Sequence, residues 1–477
     1  MALTFDNRFA RDFPRIYSAQ PPAGFEQPEL LLLNTELAAQ FGLDADNAQI
    51  AQWFGGPEAI PGAAPLAQKY AGHQFGVYNP ALGDGRGLLL GEIKDTQGQF
   101  WDLHLKGAGP TPYARGGDGR AVLRSSIREF LASEALYHLG FPTTRAMCLV
   151  AGELPVQRET VERGAMVTRA ARSHIRFGHF EHCFHRGLGS ELIALKEYVV
   201  ERHWPDLQGQ PHKLFFERVV HKTAQMIAYW QAYGFAHGVM NTDNFSILGD
   251  TFDFGPYGFL DDYQPGFVCN HSDYNGRYAF DAQPSIALWN LNCLAMALSP
   301  MIESDDLVAA LKQFQPALAG HYLKLMGKRL GLEQVGKDDA ELINSFLALL
   351  ADERQDYSLA FRWLSDAERA NTLIPCRDHY LDRARFDTWA TQYLKRLNRQ
   401  DSDDSARKQA MDAVNPLYVL RNYLAQNAIA ASEQGDHSEL NRLYSLLKTP
   451  FTQQPGMDDY AKRPPDWGRH LEVSCSS

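Results

Sequence analysis

What the chain lacks narrows its class first. Cysteine is scarce: six in 477 residues, at 148, 183, 269, 293, 376 and 475, with no C-x-x-C pair among them. That excludes a disulfide framework and points to manufacture in a reducing compartment. Long apolar runs are missing as well. Residues 287–302, among the most apolar, are broken by Asn290, Asn292, Ser299 and Pro300, short of the roughly 20 apolar residues that a bilayer span needs. Basic charge is in deficit, 46 Lys and Arg against 57 Asp and Glu for a net charge of -11, which argues against nucleic acid as a partner. No repeat recurs at a fixed period. The first residues, Met1-Ala-Leu-Thr-Phe-Asp-Asn-Arg8, have neither the charged-then-apolar layout of a secretory signal nor the look of a transit peptide. A cytoplasmic protein without membrane or nucleic-acid partners is the expectation.

What is there is core material. Hydrophobic residues make up 45% and aromatics 12% of the chain, which excludes wholesale disorder. Residues 1–65 read as an N-terminal extension with a leucine-rich helical candidate at 29–41. From 66 to 150 glycine and strand signals rise. Residues 88–93 and 100–106 flank the loop Asp95-Thr-Gln-Gly98 as a hairpin. In the second strand Trp101, Leu103 and Leu105 alternate with Asp102, His104 and Lys106, so Lys106 is expected on the polar side of a half-buried strand. Apolar positions at three- and four-residue steps predict helices over 122–139 and 216–230. Residues 151–300 complete a second lobe. Beyond 300, helical segments at 306–314, 340–352, 417–432 and 438–447 form a C-terminal extension. The fold class is α+β, with two lobes.

The chemistry concentrates at Asn244 and Asp253. Residues 245–248 and 251–254 read as short strands joined by Gly249-Asp250, a dipeptide suited to a tight hairpin turn. Such a hairpin would bring an amide oxygen and a carboxylate to one end, a donor pair suited to Mg²⁺. Asp253-Phe254-Gly255 is a literal D-F-G, and His237-Gly-Val-Met-Asn-Thr-Asp-Asn244 has the spacing of a kinase catalytic loop. Upstream stand the glycine-rich turn Gly83-Asp-Gly-Arg-Gly87, the strand lysine Lys106 and the helix glutamate Glu129. One position departs from the kinase pattern: Val239 occupies the place of the catalytic aspartate. Asp243 is the nearest carboxylate able to take a proton, and capping of its loop is its alternative role.

These motifs, with Gly72-His-Gln-Phe-Gly76, His104-Leu-Lys-Gly-Ala-Gly109, Gly117-Asp-Gly-Arg120, Arg176-Phe-Gly-His-Phe180 and the tail from Pro464-Pro-Asp-Trp467 to Ser477, resemble the selenoprotein O family over essentially the whole length. The resemblance implies a protein-kinase-like fold that binds ATP in reversed orientation and moves AMP onto Ser, Thr or Tyr hydroxyls of proteins, redox proteins among them. It implies nucleotide contacts from Gly83, Gly85, Arg86, Lys106, Asp118, Gly119, Arg169, Arg176 and Asp253. Glu129 would orient Lys106, Asn244 and Asp253 would hold Mg²⁺ or Mn²⁺, and Asp243 would accept the proton. Arg169, Arg172 and Arg176 share one face if their segment is helical. UMP transfer from UTP with manganese, γ-phosphoryl transfer and non-catalytic nucleotide binding stand as alternatives, the last because of Val239.

Three other signals carry less. His174, His179, His182, Cys183 and His185 cluster, but no second ligand pair with zinc-finger spacing accompanies them. The glycines at 83, 85 and 87 precede a strand, not the helix that a dinucleotide fingerprint requires. Cys475 stands where some members of the resembled family carry selenocysteine, and Cys269 follows the D-F-G segment. By position the two thiols would make a redox clamp closing a long loop, with two ordinary free cysteines as the alternative. Mass spectrometry of the oxidised protein is expected to find a Cys269–Cys475 cross-linked peptide, and two unlinked thiols would remove the clamp.

Overall fold

The computed structural model describes residues 3–58, 60–371 and 373–473. Its centre is a nine-stranded antiparallel sheet. In chain order the strands are β1 Tyr17–Ala19, β2 Glu29–Leu33, β3 Leu66–Gln74, β4 Val77–Gly83, β5 Gly87–Lys94, β6 Phe100–Lys106, β7 Ala121–Val122, β8 Arg145–Gln157 and β9 Val161–Ala171. They lie in the order β1-β3-β5-β6-β9-β8-β2, with β4 on β3 and β7 on β9. The first 65 residues thus supply two strands of the sheet, β1 against β3 and β2 against β8. A two-stranded piece, β10 Phe235–Ala236 with β11 Gly258–Phe259, lies further on.

Leucines at 30–33 pair with β8, and the chain turns helical only after Asn34, over Thr35–Gln40. The helix expected at 29–41 is therefore a strand followed by a short helix. Asn34 is the divider, because its side chain accepts the Leu37 amide hydrogen as an N-cap.

Helix Leu123–His138 fulfils its periodicity. Ile127, Phe130, Leu131 and Ala135 are buried, and the helix packs on β8 and β9. Glu134 fastens it there: its carboxylate accepts from Arg145 Nε and Nη2 at 2.8 and 2.7 Å, from Asn34 Nδ2 at 2.7 Å and from the Ala146 amide at 3.0 Å. That fastening fixes the helix carrying Glu129. The second expected helix spans His212–Tyr233 and ends at Gly234, whose φ of 70° is the left-handed C′ conformation. The C-terminal helical segments include Ser304–Lys312, Asp339–Glu353, Asn422–Glu433 and Ser438–Leu447. Among the described residues no helix is long and apolar enough to cross a membrane.

Three local expectations fail. The 245–254 hairpin does not form, because each half pairs elsewhere: Ser246 bridges Arg176, Thr251 bridges Thr143, and the Thr251 amide donates to Pro142. Asn244 instead closes a 3₁₀ turn, Thr242–Asn244. Arg169, Arg172 and Arg176 do not share a helix, since Arg169 is on β9 and Arg176 is the N-cap of helix Phe177–His185. Strand β6 is covered on both faces, so Asp102 and His104 are buried.

Removing the Glu134 carboxylate leaves the Arg145 guanidinium buried without its ion pair, a loss of roughly 3–5 kcal/mol. Urea unfolding of Glu134→Ala is expected to show a destabilisation of that size, and a change below about 1 kcal/mol would show that the contact does not hold the helix.

Candidate active site

A cleft of about 700 Å³ opens between the glycine-rich turn, the ends of β6 and β9, and the segments 239–244 and 253–256. That volume suits a nucleotide-sized ligand. Gly83, Gly85, Arg86, Lys106, Asp118, Gly119, Arg169, Arg176, Asp243, Asn244 and Asp253 all line it. Glu129 lies behind Lys106, wholly buried.

Antiparallel pairing explains how the cations meet. Registers of β6 with β9 set His104 opposite Arg169, and registers of β5 with β6 set Gly87 opposite Lys106. Lys106 makes an ion pair with Glu129, whose second oxygen lies 3.4 Å from Arg169. Burial pulls the Lys106 pKa below its usual value, against the pull of Glu129.

Asp253 is gripped from two sides, its carboxylate meeting Arg169 through one oxygen and Arg176 through the other. Burial alone would raise its pKa, but Arg176 and then Arg169 overcome that and hold it well below the usual carboxylate range. Its backbone sits at φ 60°, a left-handed conformation that costs a non-glycine residue of order 1 kcal/mol and needs support from its surroundings. The guanidinium of Arg176 lies between the rings of Phe252 and Tyr70, 4.5 and 4.9 Å from their centroids, and donates to the Asp243 carbonyl at 2.8 Å. One arginine therefore touches both loops that frame the cleft.

The loop bearing Asp243 is held from above by β3. The His73 amide donates to Thr242 Oγ1 at 2.7 Å, and Gln74 Nε2 donates to Asp243 Oδ2 at 3.3 Å. Strand and loop approach so closely that a Cβ on Gly72 would stand 2.9 Å from Thr242 Oγ1 and 3.0 Å from Asp243 Oδ1. Asp243 Oδ1 is buried without a hydrogen-bond partner. Burial pushes this carboxyl up to about 7, although Arg176 pulls the other way.

The side-chain amide of Asn244 donates to the Val239 carbonyl at 3.0 Å, which leaves its oxygen available. With the Asp253 carboxylate lining the same cleft, the donors are hard oxygens and few. Such a set fits Mg²⁺ or Mn²⁺, which complete their shell with phosphate and water. His237 joins the two loops, its Nε2 lying 2.9 Å from the Phe252 carbonyl. At the rim Asp118 pairs with Arg158 at 2.8 Å.

Arg172 turns away to the Phe100 carbonyl. His174, His179 and His182 are buried, and burial lowers the pKa of each. Cys269 is buried against Gly238, and the neighbouring His271 amide donates to the Val473 carbonyl at 2.9 Å. Cys475 lies outside the described residues.

Among the cleft residues that were not assigned to the site from sequence are Tyr70, Gln74, Asp84 and His104. Three of them stand inside quoted motifs, Gln74 in Gly72–Gly76, Asp84 in Gly83–Gly87 and His104 ahead of Lys106, so the signal was their position and not their residue type.

The profile of a family described as Protein adenylyltransferase SelO matches residues 1–448. Among similar proteins, the "Protein nucleotidyltransferase YdiU" of Azotobacter vinelandii is 53% identical over all of this chain and 99% of its own. Those of Pseudomonas fluorescens and Salmonella agona are each 52% identical over all of this chain, covering 99% and 100% of theirs.

A side chain at Gly72 must part β3 from the loop. In Gly72→Val, hydrogen exchange of the amides at 242–244 is expected to rise about tenfold or more, and unchanged exchange would show that β3 does not restrain the loop.

Proposed function

The chain belongs to the SelO family of protein adenylyltransferases, and from that premise we propose that the cleft moves AMP from ATP to Ser, Thr or Tyr hydroxyls of proteins on a protein-kinase-like, two-lobed body. It is an enzyme of the nucleotidyltransferase class. In this reading the first lobe, expected at 66–150, runs on through β9, because β8, Arg145–Gln157, crosses position 150 and pairs with β9 in the same sheet; the second lobe follows up to 300, and the residues from 301 form the helical extension.

The observation that carries the reading is the convergence of Arg86, Lys106, Arg169 and Arg176 with Asp243, Asn244 and Asp253 in one cleft. Forked guanidinium groups and an ammonium suit a triphosphate, whose charge grows as pyrophosphate leaves. Gly83, Gly85, Asp118 and Gly119 shape the remaining wall around the nucleotide. Glu129 keeps the Lys106 ammonium aimed at it.

Asn244 and Asp253 would hold Mg²⁺, or Mn²⁺, and the ion supplies charge neutralisation at the phosphates. The acceptor oxygen attacks the α-phosphorus, the bond from that phosphorus to the bridging oxygen of the β-phosphate breaks, and the proton passes to Asp243. A carboxyl raised by burial is a stronger base than an ordinary surface aspartate. The Gln74 amide fixes its orientation. Val239 offers no proton acceptor at the position where a kinase has its aspartate. Cys269 and Cys475 remain the pair through which oxidation would act.

Nucleotide labelled at the α- or the γ-phosphate tests the reaction. Protein is expected to retain α-label and not γ-label, whereas retention of γ-label alone would assign a kinase and no label with bound nucleotide a scaffold. UTP in a parallel assay with Mn²⁺ reports the base preference. Asp243→Ala and Asp253→Ala are each expected to lower transfer by at least about a hundredfold, and wild-type rates in either would contradict its role.

A further inference from the structure

An aspartate inside a phosphate-binding glycine turn is at odds with the charge of the ligand. Asp84 stands between Gly83 and Gly85, yet its carboxylate points inward and is only 4% exposed. There it accepts the Gln68 amide at 3.0 Å and the Tyr70 hydroxyl at 3.2 Å. Its backbone carbonyl accepts from Thr111 Oγ1 at 2.6 Å. The same carboxylate lies 3.2 Å from His104 Nε2 and 3.9 Å from Arg176 Nη2.

His104 carries the connection onward. Arg169 Nη2 lies 2.8 Å from His104 Nδ1. A guanidinium only donates, so Nδ1 is the acceptor and the ring proton sits on Nε2, facing Asp84. A neutral ring in this tautomer accepts from Arg169 and turns its Nε2 proton toward the Asp84 carboxylate 3.2 Å away, an electrostatic contact without the alignment of a hydrogen bond. The ring is wholly enclosed, and β5 makes room for it: a Cβ on Gly87 would lie 2.3 Å from His104 Cε1. The third glycine of the turn is thus required by the histidine.

We propose that Asp84 and His104 are positioning residues for the nucleotide, a buried link that locks the glycine-rich turn in register with Arg169 and Arg176 so that backbone and guanidinium groups meet the phosphates together. The proposal rests on the function set out above and adds two residues to its machinery. Neither side chain needs to touch ATP. Asp84 ties the turn to β3 and leans on Arg176, while His104 aims Arg169. Without the link each arginine keeps its contact with Asp253 but loses the partner on its other side. A preorganised anion site then becomes one that the ligand must assemble, which weakens binding.

The test uses the full-length protein with three variants, His104→Leu, His104→Gln and Asp84→Asn. Binding is measured with an α,β-methylene ATP analogue and Mg²⁺, and transfer with α-labelled ATP. Thermal midpoints are recorded for each variant. His104→Leu and Asp84→Asn are expected to weaken binding and raise KM for ATP at least tenfold, with a smaller fall in kcat. His104→Gln, whose amide oxygen accepts from Arg169, is expected to recover most of the binding that leucine loses. Binding within twofold of wild type in His104→Leu would overturn the proposal, as would a glutamine variant no better than leucine at an equal thermal midpoint. If Asp84→Asn does not fold, the histidine pair decides alone. A wild-type protein that binds the analogue but transfers no α-label would defeat the proposed reaction, while the binding series would still judge the link.

Discussion

A carboxylate partly buried at the cleft needs compensation from its neighbours, and Asp253 is held between Arg169 and Arg176 for that reason. Everything else in the site takes its place from this triad. Isolated, Asp253 would lose its charge to burial, and the two arginines would repel each other across a gap lined with protein. Together they are stable, and they bring β9, the start of helix Phe177–His185 and the D-F-G segment to one point. The left-handed backbone of Asp253 is the local strain that this arrangement sustains.

The sheet supplies the geometry that the triad needs. Because β6 lies between β5 and β9, Lys106, His104 and Arg169 emerge side by side at one end. Helix Leu123–His138 then brings Glu129 up behind Lys106, where it also approaches Arg169. Lys106 and Arg169 share Glu129, and Arg169 and Arg176 share Asp253, so each of these three cations has a carboxylate beside it. A triphosphate entering such a site exchanges contacts with groups already held in place, which favours charge stabilisation over reorganisation.

Periodic elements were legible in the residues. The helices Leu123–His138 and His212–Tyr233 follow from three- and four-residue steps, because burial on one face imposes that period, whereas alternation located β6 but not its burial on both faces. The members of the site were legible through motif order, and the cleft brings together all those expected to touch nucleotide or metal. What could not be read was pairing between distant segments. Residues 245–254 have the composition of a hairpin, yet Ser246 and Thr251 bond to Arg176 and Thr143, partners far away in the chain. Arg169 and Arg176 converge from a strand and a helix start, a meeting that no local spacing encodes. His104 looked like the polar side of a strand because its partners, Asp84 and Arg169, arrive from the turn before β5 and from β9.

The proposed transfer finally depends on where the metal and the α-phosphate sit relative to Asp243. A crystal structure with Mg²⁺ and a non-hydrolysable ATP analogue measures this directly. The account predicts an ion bound by Asn244 Oδ1 and the Asp253 carboxylate, with the α-phosphate against it and the Asp243 carboxyl facing the open side of that phosphorus. An ion bound elsewhere, or an α-phosphate remote from Asp243 with the γ-phosphate in its place, would contradict it.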